Sequence, residues 1–148
     1  MLLDTDILVD LMRGKKEARD FLSSLPEDSP HCCSTITIAE IHSGMREGER
    51  QKTTELIESL IILPVTREIA EMAGKFRRQH NGASMSIPLK RQGRKVKSPE
   101  APEKLKGFEL ELDDCLIAAT AAVEGLELAT RNKRHYPMPE VRVKPALY

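Results

Sequence analysis

Short apolar runs that alternate with amphipathic helical stretches constrain this chain more than any other feature of it. "MLLD" reads as a short apolar strand ending at Asp4, and Ile7, Leu8, Leu11 and Met12 then recur at helical spacing up to Gly14. "KKEARDFLSSL" predicts a second helix with Ala18, Phe21, Leu22 and Leu25 on one face. "SPHCCST" predicts a buried strand, and "TIAEIHSGMREG" a helix with the stripe Ile38, Ile41, Met45 and a stop at Gly48. The pattern repeats in "QKTTELIESL" with "IILPV", and in "TREIAEMAGKFRRQH" with its Thr cap and Glu68. "DDCLIAATAAVEG" is a strong helical stretch ending at Gly125, followed by the strand "LELAT" and a closing edge strand "VRVKP". Strands this short and this apolar, each followed by a helix, predict an α/β fold with a parallel sheet covered on both faces.

A chain of 148 residues is expected to form one domain with a proper core. Lys plus Arg and Asp plus Glu both number 23, so net charge favours neither nucleic acid nor membrane, and a polyanion would need a local patch or a metal ion. With no Trp and few aromatics, a base-stacking platform of the single-strand-binding kind is not expected. Cys32, Cys33 and Cys115 form no disulfide framework; His31, Cys32 and Cys33 lack a second ligand pair for zinc and read as buried strand residues. No apolar run spans a bilayer, and the first run has no basic leader before it, so a cytoplasmic location is expected. Asn81 to Lys106 breaks the rhythm with seven Lys/Arg against two Glu. It reads either as a solvated, flexible surface insertion or as a basic arm that touches a polyanion.

Carboxylates gather where a parallel sheet binds its ligands, at the carboxyl ends of strands. Asp4 ends the first strand, Glu40 lies early in the helix after the second, and Asp114 lies in the first turn of the helix before "LELAT". Each has an ordinary reading too. Asp113 and Asp114 suit a helix N-terminus, Asp6 suits a cap, and Glu40 among Ile38, Ala39 and Ile41 can point to solvent. Acids at several ends of one sheet favour a cluster.

Two oxygen-rich sites open with a sequence such as "LLDTDIL". A haloacid-dehalogenase-like phosphatase uses Asp-x-Asp, but its late acidic pair ends a strand, whereas Asp113 and Asp114 open a helix and Glu40 would be idle. The other is the PIN domain, which the chain resembles over nearly its whole length. "LLDTDILVDLMRG" resembles the family's opening apolar-Asp-Thr pattern, and "STITIAEIHSG" its Ser-x-Ile-Thr-x-x-Glu segment. "LDDCLIAATAAVEGLELATRN" resembles its Asp-x-x-Ile-Ala-Ala helix with the Thr-Arg strand end, and "HYPMPEVRV" its closing strand. The most specific part is "DDCLIAATA" with "LATRN".

The resemblance implies a three-layer α/β/α sandwich with a central parallel sheet of four to five strands. It implies metal carboxylates at Asp4, Glu40 and Asp114, which as hard oxygen ligands suit Mg²⁺ or Mn²⁺. Thr5, Asn132 and Arg131 would orient ligands or the scissile phosphate, although Arg131 equally suits a surface ion pair. The family often carries a fourth acid after the Thr-Arg pair or three residues on. Those positions hold Asn132 and His135, with His135 a possible imidazole ligand. The implied activity is metal-dependent endoribonuclease cleavage of RNA, as the toxin of a VapC-type toxin–antitoxin pair, held by a protein antitoxin and forming a homodimer. The missing acid leaves open a degenerate PIN domain that binds RNA or a protein without cutting.

Overall fold

A computed structural model describes residues 1–26, 29–81 and 109–148. Its elements run β1 Leu2–Leu3, α1 Thr5–Met12, α2 Lys16–Ser23, β2 Cys32–Ser34, α3 Thr35–Gly44, α4 Arg50–Glu58, β3 Ile61–Leu63, α5 Arg67–Asn81, α6 Leu112–Val123, β4 Leu128–Thr130 and β5 Val143–Pro145. A 3-10 turn covers Lys133–His135. The five strands form one sheet in the order β3-β2-β1-β4-β5, with every pairing parallel.

Successive strand residues point to opposite faces, so each strand feeds two cores. Leu2, Cys32 and Leu128 join Ile69, Phe76 and Ile117 from α5 and α6 on one side. Leu3, Cys33 and Ala129 join Ile7, Leu8 and Ile41 on the other, with partly buried Phe21 and Leu56 completing that layer. This is the three-layer α/β/α arrangement, and it explains why the strands read as unbroken apolar runs. Cys32, Cys33 and Cys115 are buried free thiols. The exceptions are the two edge strands: in β3 Ile61 is 51% and Ile62 43% exposed, and in β5 Pro145 is exposed.

Three boundaries differ from the sequence reading. The helix expected to stop at Gly48 ends at Gly44, and Gly48 takes a positive φ of 88° in the turn before α4. Asp4, not Asp6, caps α1, because Asp4 has extended backbone and its side chain accepts from the Thr5 amide. Asn81 belongs to α5 rather than to the basic segment. Its Nδ2 donates to the Leu110 carbonyl at 2.8 Å and its Oδ1 accepts from the Leu110 amide at 2.9 Å. The rest of the basic insertion expected over 81–106 lies outside the described residues. Among the described residues no helix is long and apolar enough to cross a membrane.

Candidate active site

Strand order runs one way from β1 to β2 and β3 and the other way from β4 to β5, so the direction of winding switches between β1 and β4. A crevice forms outside strand ends at such a switch. Here it is a cavity of about 430 Å³ lined by Asp4, Thr5, Asp6, Val9, Asp10, Arg13, Lys15, Glu40, Asp114, Arg131, Asn132 and His135. Every residue singled out from the sequence as a site candidate is in this lining.

Asp4 arrives at the end of β1, where its amide donates to the Ala129 carbonyl of β4 at 3.0 Å. Its side chain is 6% exposed and accepts from the Thr5 amide at 2.8 Å. Burial raises its pKa, while Thr130, Tyr136 and the Thr5 amide pull it back. Glu40 comes from α3 and takes a short hydrogen bond from the Thr5 hydroxyl. Thr5 therefore positions Glu40. Burial pushes the Glu40 pKa up to about 7, with the charges of Asp113 and Asp4 adding to it. Asp114, in the first turn of α6, has its Oδ2 3.0 Å from Nδ1 of His135. Burial lifts it to about 6 against the counter-pull of His135.

The cluster thus joins β1, α3 and α6, three elements far apart in the chain. Among the described residues, however, no three carboxylate, imidazole or thiol side chains stand together as a ready-made coordination shell. Thr5 holds Glu40 through Oε2, and His135 holds Asp114 through Oδ2. The donor set still suits a hard divalent cation. Several hard oxygens face one cavity with their charged forms disfavoured. The buried Asp6 Oδ1 of its lining lacks a hydrogen-bond partner, and Tyr136 Oη beside Asp4 lacks a well-formed one. Tyr136 Oη nevertheless feels Asp4, whose charge adds to burial in driving the phenol far above its usual pKa.

Several contributors were not singled out as site residues from the sequence. Asp6 Oδ2 accepts from the Arg131 amide at 3.0 Å and lies 3.4 Å from the Thr130 hydroxyl, lacing α1 to the end of β4. The Thr130 hydroxyl also lies against Asp4 and helps hold down its pKa. Burial and the Asp4 charge raise Asp6 to about 6. Asp10, 3% exposed, holds Lys15 at 2.7 Å and Arg131 at 2.6 Å. Arg131 is thus engaged in a half-buried ion pair rather than free at the surface. One signal was available. Asp6, Val9, Asp10 and Arg13 fall at i, i+3, i+4 and i+7, a polar-edged stripe of α1 beside its apolar one.

The PIN domain profile matches residues 1–141. The protein "Ribonuclease VapC10" of Mycobacterium tuberculosis is 36% identical over 149 aligned positions, covering 98% of this chain and 91% of that protein. "Ribonuclease VapC19" of the same organism is 28% identical, covering 93% of this chain and 92% of that one. A toxin–antitoxin complex from Klebsiella pneumoniae contains a chain that superposes with a TM-score of 0.69 at 27% identity, covering 99% of this chain and 97% of its own. The VapBC2 structure from Rickettsia felis, bound to a promoter DNA fragment, superposes with a TM-score of 0.68 at 18% identity, covering 97% and 96%, which speaks to the fold alone.

Proposed function

This chain belongs to the PIN domain family, and from that premise we propose that it is a divalent-metal-dependent endoribonuclease, the toxin of a toxin–antitoxin pair. The observation that carries the reading is the convergence of Asp4, Glu40 and Asp114 on one cavity at the sheet's switch point. It is supported by the ribonuclease names of the relatives and by the toxin–antitoxin complex among the similar structures. The dehalogenase-type reading has no such support, and Asp6, which would be its general acid, is engaged with Arg131 and Thr130.

Asp4, Glu40 and Asp114 would hold Mg²⁺ or Mn²⁺, with His135 at the fourth position. Such an ion supplies charge stabilisation at the phosphate and a bound water of lowered pKa. Thr5 keeps Glu40 turned into the cavity, and His135 fixes the Asp114 carboxylate. Arg13, Lys15 and Arg131 line the same cavity and offer cations to the RNA backbone, while Asn132 offers an amide to the scissile phosphate. We read the protein as one domain with the basic segment inserted between α5 and α6, cytoplasmic, homodimeric and restrained by a protein antitoxin. A binding-only PIN domain is the second reading, favoured by the imidazole of His135 standing on Asp114 where an acid would be expected.

The test is cleavage of single-stranded RNA by the purified protein in Mg²⁺ or Mn²⁺, beside EDTA and beside Asp4→Asn. Cleavage lost in both controls supports the nuclease. RNA binding without any cleavage would leave the binding module, and turnover of a chromogenic phosphate monoester instead would point back to a phosphatase.

A further inference from the structure

The chain has three Phe, two Tyr and no Trp, and two of these few rings meet beside the carboxylate cavity. Phe21 of α2 and Tyr148 stand 6.2 Å apart between centroids, tilted by 49°. With Leu147, Glu17, Asp20 and Ser24 they line a groove of about 340 Å³, within the size range of small-ligand sites. The groove and the carboxylate cavity share a wall. Arg131 lines the cavity, and its guanidinium carbon lies 5.4 Å from the ring centroid of Tyr148, which lines the groove. A phosphate held at Arg131 would therefore have its neighbouring nucleoside within reach of the groove.

We propose that this groove is a base-binding subsite for a nucleotide next to the scissile phosphate, and that it selects guanine. The inference rests on the ribonuclease reading and adds a sequence preference to it. Leu147 is 89% exposed, so apolar surface stands in water beside two aromatic rings, and a flat base covers such a floor well. Stacking alone accepts every base, so preference must come from the polar groups around it. Apart from the Tyr148 hydroxyl, which is turned toward Asp10, these are all acceptors. Glu17 and Asp20 are carboxylates, and the Ser24 hydroxyl has already given its proton to the Phe21 carbonyl at 2.6 Å. An acceptor-only rim reads N–H donors on a base edge. Guanine presents N1–H and the N2 amino group side by side, matching the two oxygens of one carboxylate. Adenine and cytosine offer an amino group without the adjacent ring N–H, and uracil offers the ring N–H alone.

The same charges bear on two other occupants. A phosphate is repelled by Glu17 and Asp20 and belongs on the far side of Arg131, where Arg13 and Lys15 also line the cavity. A cationic peptide side chain meets both signs, the carboxylates of Glu17 and Asp20 and the like charge of Arg131 over the Tyr148 ring. A neutral base meets neither penalty.

The experiment uses short single-stranded RNAs varied one position at a time around the mapped cut, with inosine substituted for guanosine to remove only the N2 amino group. Wild-type protein in Mn²⁺ should prefer guanosine at one position beside the cut by roughly ten-fold, the scale of one hydrogen-bonded base contact, and inosine should lose much of that preference through KM. Asp20→Asn, a change on an exposed helix face, should stop distinguishing guanosine from inosine. Phe21→Leu and Tyr148→Leu should weaken binding of all bases roughly ten-fold, the scale of one lost stacking contact, with thermal melting confirming that each variant is folded. Unchanged base preference in Asp20→Asn, Glu17→Gln and the two Leu variants overturns the subsite while leaving the nuclease standing. A groove variant that loses a protein partner but keeps its RNA preference also overturns it, making the groove a peptide site. No cleavage or binding of any RNA by the wild-type protein overturns both the subsite and the nuclease.

Discussion

Nδ1 of His135 stands 3.0 Å from Oδ2 of Asp114, so the position where an acid is expected holds a hydrogen-bonding partner for an acid. The imidazole relieves the crowding that a further carboxylate would add, at the cost of one hard ligand. His135→Asp should therefore lower the melting temperature in EDTA by about 2–4 °C per kcal/mol of added repulsion. Mn²⁺ or Mg²⁺ should then raise it by more than they raise the wild type. Differential scanning fluorimetry reads both, and equal melting temperatures in EDTA would contradict this reading of His135.

The raised acidities set a pH dependence whose sign can be worked out. An acid with a raised folded-state pKa keeps its proton where the unfolded chain has lost it. Stability then falls as pH rises between the two values. The window runs from 4.5 to about 7 for Glu40 and from 3.8 to about 6 for Asp114 and Asp6. Metal-free protein should thus be more stable near pH 5 than near pH 8, by denaturant midpoint in EDTA. Saturating Mn²⁺ or Mg²⁺ should offset the loss at the higher pH, because the ion takes the deprotonated groups. A midpoint that rises from pH 5 to pH 8 in EDTA would contradict the site's electrostatics.

Asn81 and Leu110 are joined by two hydrogen bonds, which close the chain on itself across the basic stretch. Excising residues 83–107 and bridging the ends with a short Gly-Ser link should leave the melting temperature nearly unchanged. Asn81→Ala should cost about 1–3 kcal/mol, the scale for stranding a buried polar partner. The excised protein has lost all seven of that stretch's cations, so its RNA affinity should fall less steeply with added salt. An unfolded excision product, or an unchanged salt slope, would assign the stretch a different role.

The layers were legible because the inner strands β1, β2 and β4 are covered on both faces, which writes short unbroken apolar runs. Asp4, Glu40 and Asp114 were legible because each interrupts or opens such a run where a parallel sheet binds ligands. The Asp10–Arg131 pair was not, because 121 positions separate its members and only the adjacency of β1 and β4 brings them together. For the same reason Arg131 read equally as a phosphate ligand and a surface ion pair. The end of α3 was missed because Gly48, a natural stop, lies in the next turn, while Gly44 ends the helix without a positive φ. Thr5, expected to orient a ligand or the phosphate, gives its hydroxyl to Glu40, one of the expected metal ligands, and which ligand it takes is a contact only the folded chain displays.

On the proposed reading, Asp4 and Asp114 act as one metal-dependent, RNA-cleaving site. Single-turnover cleavage of RNA in saturating Mn²⁺ by the wild type, Asp4→Asn, Asp114→Asn and the double variant tests it most directly. Residues that work as a unit are strongly non-additive. Each single change should lower the rate by about 10²-fold or more, the double change should be little worse than either, and EDTA should abolish wild-type cleavage. Independent losses that multiply in the double variant, or cleavage that survives EDTA and Asp4→Asn, would contradict it.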